Sequence, residues 1–503
     1  MSDLPKFQAP RTKAEADPRR WVALAVLLIA SFMNLMDVTI VNVAIPSMQE
    51  SLGASAAQIE WVVAGYVLAF ALGLLPFGRL GDIVGRTRMF LIGVSAFTLA
   101  SAACGLAPSI EWLIGARVLQ GLAGAVMTPQ VLAIATVTFP PEERGQAFSL
   151  FGLASGLAAV AGPILGGLLI GDNPLGLDWR PIFLVNLPVG LLAVGLGWFI
   201  IPRPPGHKNI NNDFVGIALF GASIVALVFP LIEGRAFGWP AWTWGLMAAA
   251  LVGLALFVLW ERRMAAAGRP QLLNYSLVTN GGYVLGVFVT MIFASGIPGF
   301  FMVFSLLLQS GFGFTALESG LTNTPFSVGV LVVSLISGRL GSRHIRARAI
   351  VSGLFLTTGM LWVHLIIAGL TDHVDHWWFL PPLLIAGLGL GLGFSALFQA
   401  VLSNVPARDA GAGSGALQAF QQVGGALGVA LVGQLFFSTL EGAGGWGAAS
   451  PQAAFADAAA LATWYQVASF GTVLVLVVLL LRVRDPDQPS DGSRRAAAAI
   501  VET

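Results

Sequence analysis

Charge is scarce in this chain. Of 503 residues only 10% are Asp, Glu, Lys or Arg, against about 25% in soluble globular proteins. Hydrophobic residues make up 56%, more apolar surface than a soluble core absorbs but suited to a bilayer. An ordinary cytosolic enzyme is excluded. The formal net charge of +1 lacks the concentrated basic face that nucleic acid requires, so no nucleic-acid partner is expected. A single cysteine, Cys104, leaves no internal disulfide and no thiolate metal cage. No Gly-Lys pair occurs, so there is no P-loop and no ATP motor of that kind. The histidines are His207, His344, His364, His373 and His376. His364 alone falls in an apolar run, so neither a metal cluster in the bilayer nor a cofactor is expected. His373 and His376, with Asp372 and Asp375, read as a solvated acidic outer loop in preference to a weak metal site. Lysine is nearly absent, and the Arg- and Ala-rich bias fits a bacterial source. The first 20 residues hold no apolar segment, so no cleavable secretory signal is read.

What is abundant is long apolar runs. A membrane helix needs about 20 such residues. Runs of that kind fall at 21–44, 57–78, 88–107, 112–134, 146–170, 181–201, 214–232, 242–260, 280–308, 316–338, 349–370, 378–401, 412–437 and 461–481, fourteen in all. An even number puts both termini on one side. Placing that side in the cytoplasm assigns it 23 of the 26 Lys and Arg residues. Only Arg180 and Arg235 fall outside, and Arg117 lies within a span. Removing one span would reverse the sides of every later loop, so the split supports the topology and cytoplasmic termini. The outer loops instead carry acids, among them Glu50, Glu111, Asp172, Asp178, Asp372 and Asp375.

Gly78-Arg79-Leu80-Gly81-Asp82 follows the second span, and Gly338-Arg339-Leu340-Gly341-Ser342 follows the tenth. Both copies lie on the same side and both precede further arginines. The repeat points to two parallel six-helix halves with two extra spans between them, a transporter plan with its site between the halves. The expected organisation is an N-tail at 1–20, a first six-helix bundle at 21–201, the extra helices at 202–269, a second bundle at 270–484 and a C-tail at 485–503. The fold class is therefore an all-α polytopic membrane protein.

Asp37 lies deep in the first span, where a carboxylate costs about 2.5 kcal/mol or more unless it faces a polar interior. Asn34 shares its helical face. Asp37 reads either as a protonation site on a cavity or as a structural carboxylate bracing a neighbouring helix. Arg117, with Gln120 on its face, cannot itself release a proton. It reads as a group that sets the state of a nearby carboxylate, or as half of a static ion pair. Glu60, at the start of the second span, is a second cavity carboxylate or a solvated acid in a first turn. The fifth span carries Gly152, Gly156, Gly162, Pro163 and Gly166, which read as a close-packed flexible gate or as plain tight packing. Gln418 and Gln421, in the Gly-rich thirteenth span, are candidates for polar cavity lining with Asn34, Asp37 and Gln120.

Four stretches carry a family resemblance. Gly78-Arg79-Leu80-Gly81-Asp82-Ile83-Val84-Gly85-Arg86 resembles the loop motif G-x-L-[AG]-D-x-x-G-R of the major facilitator superfamily. Asp37 to Pro46 resembles the first-span signature of its fourteen-helix drug:proton antiporter branch. Arg117-Val118-Leu119-Gln120-Gly121 resembles the fourth-span motif R-x-x-Q-G, and Gly152 to Gly167 resembles the fifth-span antiporter motif. Ile83 and Thr87 depart from the loop pattern, as does Ser342 in the second copy. The resemblance implies the major facilitator fold and a proton-coupled multidrug exporter of the cell membrane. It also implies a proton-relay role for Arg117 and a cytoplasmic latch around Gly78, Asp82, Gly85 and Arg86. The partners expected are small hydrophobic substrates, commonly cationic, with protons and membrane lipids, and the chain is expected to be monomeric. Export of one metabolite or lipid, uptake by symport, and a receptor or scaffold role are the alternatives.

Overall fold

The computed structural model describes residues 17–173, 176–203, 213–340, 344–371, 373–406, 409–443 and 450–482. Lys6, Lys208, Ser342, Arg343, Asp372, Arg408 and the outer parts of both tails lie outside these residues. Fourteen helices are long and apolar enough to cross a bilayer. They are α1 Arg20–Leu52, α2 Ala56–Val84, α3 Arg86–Gly105, α4 Ile110–Thr138 and α5 Pro141–Gly171. Next come α6 Pro181–Ile200, α7 Phe214–Glu233, α8 Ala241–Ala266, α9 Gly281–Gly311 and α10 Ala316–Leu340. The last four are α11 Ile345–Ala368, α12 His376–Leu402, α13 Ala410–Gly442 and α14 Pro451–Arg482. The even number of crossings places the start of α1 and the end of α14 on one face, here the near face. The opposite one is the far face.

Local chemistry sets several ends. Gly53 closes α1 in the left-handed conformation at φ 61°. Ser55 and Gln58 then form a reciprocal capping box that opens α2. Ser109 caps α4, Asp213 caps α7 and Asn280 caps α9. Polar residues at the bilayer edge do not stop a helix. Gly78, Arg79 and Asp82, expected in a loop, lie on the last turns of α2, which ends only at Gly85 with φ 110°. The α14 helix begins ten residues before its most apolar stretch, at Pro451, because the Ala-rich lead-in favours helix without being strongly hydropathic.

The helix contacts occur in matched sets. In the first half α2 packs on α4, α3 on α4, α1 on α5 and α3 on α6. In the second half α10 packs on α12, α11 on α12, α9 on α13 and α11 on α14. The two halves meet along two equivalent seams, α2 with α13 and α5 with α10. Each seam joins the second helix of one half to the fifth of the other, as a two-fold relation between parallel repeats requires. The α7–α8 pair interrupts this symmetry. Its α7 leans on α13 and α2, with Phe220 ring-packed on Phe420 at 5.5 Å. Its α8 is only 17% buried over its apolar window and so faces lipid.

Small residues bring the seams together. On α5/α10, a methyl at Gly167 would strike the Leu317 backbone, and one at Gly320 would strike the Pro163 carbonyl. Ser327 Oγ donates to Ala159 O at 2.9 Å, and a methyl at Gly156 would strike Leu331. One step further toward the near face, a methyl at Gly152 would meet nothing within 4 Å. The close-packing reading therefore applies to Gly156 but not to Gly152, because the seam ends between them. At the far face Gln309 Nε2 of α9 donates to Val43 O of α1 at 3.0 Å. The halves are thus closed against each other at the far face.

Candidate functional site

The polar residues of the first half converge in one buried knot. Its floor is Asp37, midway along α1 and 0% exposed. Arg117 Nη1 of α4 donates to Asp37 Oδ2 at 2.6 Å and to Gln120 Oε1 at 2.6 Å. Gln120 Nε2 donates to Asp37 Oδ1 at 2.8 Å and to Ser101 Oγ of α3 at 2.8 Å. Asn186 Nδ2 of α6 donates to Asp37 Oδ1 at 3.0 Å and to Ser101 Oγ at 3.3 Å. Arg117 Nε reaches the Val62 carbonyl of α2 at 3.1 Å, and its guanidinium lies 4.2 Å over the Tyr66 ring. Cys104 donates weakly to Gln120 Oε1 at 3.6 Å. Five helices therefore contribute to one knot, and two of them, α4 and α6, donate to the carboxylate of α1.

Helix periodicity builds the knot. Arg117 and Gln120 are one turn apart on α4, so both meet the same neighbour. Close approach is needed for such short contacts, and small residues provide it. A methyl at Gly121 would strike the Tyr66 carbonyl, one at Gly162 would strike Thr39 Oγ1, and one at Gly166 would meet Ile40. Gly162 and Gly166 thus seat α5 on α1 within the first half, rather than at the seam between halves. Pro163 presents its carbonyl to Gly320 of α10, so it does lie on that seam.

The energetics are those of a buried pair. Desolvating two charges costs several kcal/mol per ion, and the geometry must return it through short bonds and satisfied lone pairs. Here both carboxylate oxygens are occupied, while Asn186 Oδ1 is buried with no partner. A proton arriving at Asp37 would weaken the charge-assisted bonds from Arg117, Gln120 and Asn186.

Asp37 and Gln120 were expected to line a cavity, and both are instead fully buried. The reason is that α3 and α6 bring Ser101 and Asn186 over them. Sequence reading did not single out either residue, nor Tyr66. The available signal was a neutral polar side chain inside an apolar run, which is common in membrane helices. A lighter polar layer stands between the knot and the second half. Asn34 Nδ2 donates to Tyr66 OH at 2.8 Å, and Tyr66 stacks on Phe70. Phe70 in turn shares a small apolar cluster with Ala419 of α13. Near Ala419 along α13, Gln418 and Gln422 are half-buried and Gln421 is 8% exposed. These glutamines have no hydrogen bond among the described residues.

Glu60 lies elsewhere, at the far end of α2. It is 1% exposed, not the solvated first-turn acid that its position allowed. Its Oε1 accepts from Arg235 Nη2 at 3.3 Å. Near the other face, Asp82 Oδ1 accepts from Arg86 Nε at 2.9 Å, and Arg86 Nη1 reaches the Ala133 carbonyl of α4 at 3.2 Å. Asp82 therefore pairs inside its own half among the described residues, and the motif staples α2 to α4. Gly78 packs loosely on Pro129 of α4.

A fold of fourteen helices in paired halves, with a charge pair buried at mid-span and no soluble domain among the described residues, is the architecture of a secondary transporter. The sequence matches the Major Facilitator Superfamily family model over residues 27–214 and 212–429, and the chain belongs to that superfamily. It is 41% identical over 424 residues to a probable actinorhodin transporter of Streptomyces coelicolor, covering 84% of this chain and 73% of that protein. It is 35% identical over 423 residues to the tetracenomycin C resistance and export protein of Streptomyces glaucescens, covering 84% and 76%. It is 36% identical over 425 residues to the puromycin resistance protein pur8 of Streptomyces alboniger, covering 83% and 82%. Among solved structures, a bacterial homologue of the human lysosomal transporter Spinster, inward-facing and unoccupied, superposes with TM-score 0.63 at 16% identity, covering 94% of this chain and 100% of that one. That likeness concerns the fold. The chain is a multi-pass membrane transporter and not an enzyme.

Proposed function

We propose that the protein exports hydrophobic drugs or toxic compounds, commonly cationic, in exchange for protons by alternating access. The observation that carries this reading is the Asp37–Arg117 pair, enclosed at the middle of α1 with both carboxylate oxygens accepting from donors. A charge pair at that depth is costly to maintain and is characteristic of proton relays. Relatives named for actinorhodin transport, tetracenomycin C export and puromycin resistance support export as the direction. The near face is cytoplasmic in this reading, because 23 of the 26 basic residues fall on it. The state closed at the far face would then take substrate from the cytoplasm and the inner leaflet.

Asn34, Tyr66 and Phe70 on one side and Gln418, Gln421 and Gln422 on the other form the substrate wall in this reading. They supply aromatic faces and free amides, suited to flat hydrophobic molecules. Asp37 and Gln120 act from beneath this wall, with Arg117 as relay and Glu60 as a second coupling carboxylate. Relatives named for one compound each, actinorhodin, tetracenomycin C and puromycin, support export of one specific metabolite as the second reading. Reconstituted protein in liposomes with an imposed pH gradient tests the proposal. Substrate-dependent proton flux opposite in direction to the substrate is expected. Transport indifferent to the gradient, or proton and substrate moving together, would overturn it.

A further inference from the structure

Glu60, the second coupling carboxylate of the proposed function, has a buried partner with no role so far, Arg235. At the far face the inserted α7–α8 hairpin turns through Arg235, which reaches into the α2/α13 seam and stays 8% exposed. It contacts Glu60 of the first half at 3.3 Å and Glu441 of the second half at 3.5 Å, and lies 4.9 Å over the ring of Phe437. A neighbouring bond, Trp61 Nε1 to Glu233 Oε1 at 2.8 Å, ties the same turn to α2. Glu60 Oε2 and Arg235 Nη1 are both buried without partners.

Two features set this pair apart from Asp37–Arg117. It is made by one long hydrogen bond, where the deeper carboxylate accepts three shorter ones. It also sits on a surface that must open. Gly433 of α13 lies directly against the Glu60 carboxylate, and a methyl there would overlap it. Parting α2 from α13 at the far face would therefore uncover Glu60 first. The charged groups acting on it are Arg235 and Glu233 of the hairpin and Glu441 of α13. Glu111 of α4 is taken by Gln58, and Arg117 is held in the knot.

We propose that Arg235 is the exchangeable counter-ion of Glu60: it holds the Glu60 carboxylate while the far face is closed, and yields it to a proton from the far-side water as the face opens. The step transfers one proton from water to Glu60. Arg235 keeps its own proton and remains with Glu441 over Phe437. The inserted hairpin thereby makes opening of the far face dependent on protonation. Arg235 is a positioning residue here, and the inference rests on the proton-coupled reading.

Because Cys104 is buried, surface cysteines can be labelled cleanly. Spin labels at Glu50→Cys on α1 and Ser438→Cys on α13, both exposed at the far face, report its width in reconstituted full-length protein. The far face is expected to widen as pH falls from about 8 to about 5, across the range where a perturbed carboxyl titrates. Glu60→Gln should show the wide population at both ends of that range. Arg235→Gln should move the midpoint upward by about one pH unit or more, the usual effect of removing an opposite charge. Wild-type titration in Glu60→Gln, or an unshifted midpoint in Arg235→Gln, would overturn the inference, and either variant suffices if the other fails to fold. Gradient-driven efflux of ethidium or, where ethidium is not carried, of puromycin by the wild type in the same liposomes judges the underlying reading separately.

Discussion

Arg117 Nη1 meets Asp37 Oδ2 at 2.6 Å, and both side chains are sealed from solvent. Guanidinium does not deprotonate. Proton loading at Asp37 would therefore convert a neutral pair into a site of net charge +1. The positive charge would remain in place, held by the Val62 carbonyl and the Tyr66 face. A cation bound on the adjoining wall of Asn34, Tyr66 and Phe70 would be repelled by that change. Proton and cationic substrate are thus antagonistic without sharing a contact, which is the electrostatic condition for exchange.

Asp37→Asn tests this directly. It should abolish gradient-driven export and weaken cationic substrates more than neutral ones. It also leaves Arg117 buried without its anion, at a cost of about 3–5 kcal/mol. Adding Arg117→Gln should restore thermal stability but not coupling. Efflux of matched cationic and neutral dyes from vesicles, with melting curves of each variant, is the measurement. Wild-type rates and pH dependence in Asp37→Asn would remove the residue from the mechanism.

The fifth helix gives a paired control. Gly162→Ala places a methyl on Thr39 at the α1/α5 contact, and overpacking of this kind costs about 1–3 kcal/mol. Gly152→Ala enters open space and should be neutral in expression, melting and transport. Equal effects of the two changes would contradict the packing described.

Asp82→Asn breaks the pair with Arg86, which joins the end of α2 to the start of α3 and reaches α4 through the Ala133 carbonyl. Transport should slow while equilibrium binding of substrate holds within about two-fold, since the residue lies far from the polar wall and an exposed pair is worth about 1 kcal/mol or less. Parallel titration and efflux assays separate the two. Loss of binding matching the loss of transport would refute the assignment.

Orientation is open to impermeant thiol reagents. Cysteines introduced at Lys6, Lys208 and Arg346 should react only from the cytoplasm, and one at Asp372 only from outside. External labelling at position 346 would dismantle the fourteen-span arrangement.

The fourteen-helix architecture was legible because apolar run length is a property of composition along the chain. Helix ends were less so. Gly78 to Val84 reads as loop by polarity, yet helical bonding continues through Arg79 and Asp82 until Gly85 leaves helical geometry. Asp37, Arg117 and Gln120 announced themselves as ionisable or amide groups within apolar spans. Their common meeting point required the packing of α3 and α6, which brings Ser101 and Asn186 from distant positions. The Glu60–Arg235 contact spans 175 residues and depends on where the inserted hairpin docks. Nothing periodic in either segment encodes that.

The hairpin also changes what the lipid sees. Helices α7 and α8 cover the α2/α13 seam, whereas no corresponding pair among the described residues covers α5/α10. The internal two-fold relation therefore ends at the protein's perimeter. A compound dissolved in the bilayer meets one bare fissure and one shielded fissure. Under the proposed function, lateral entry from the lipid would then be open on one flank only of a molecule whose interior is built as two equal sides.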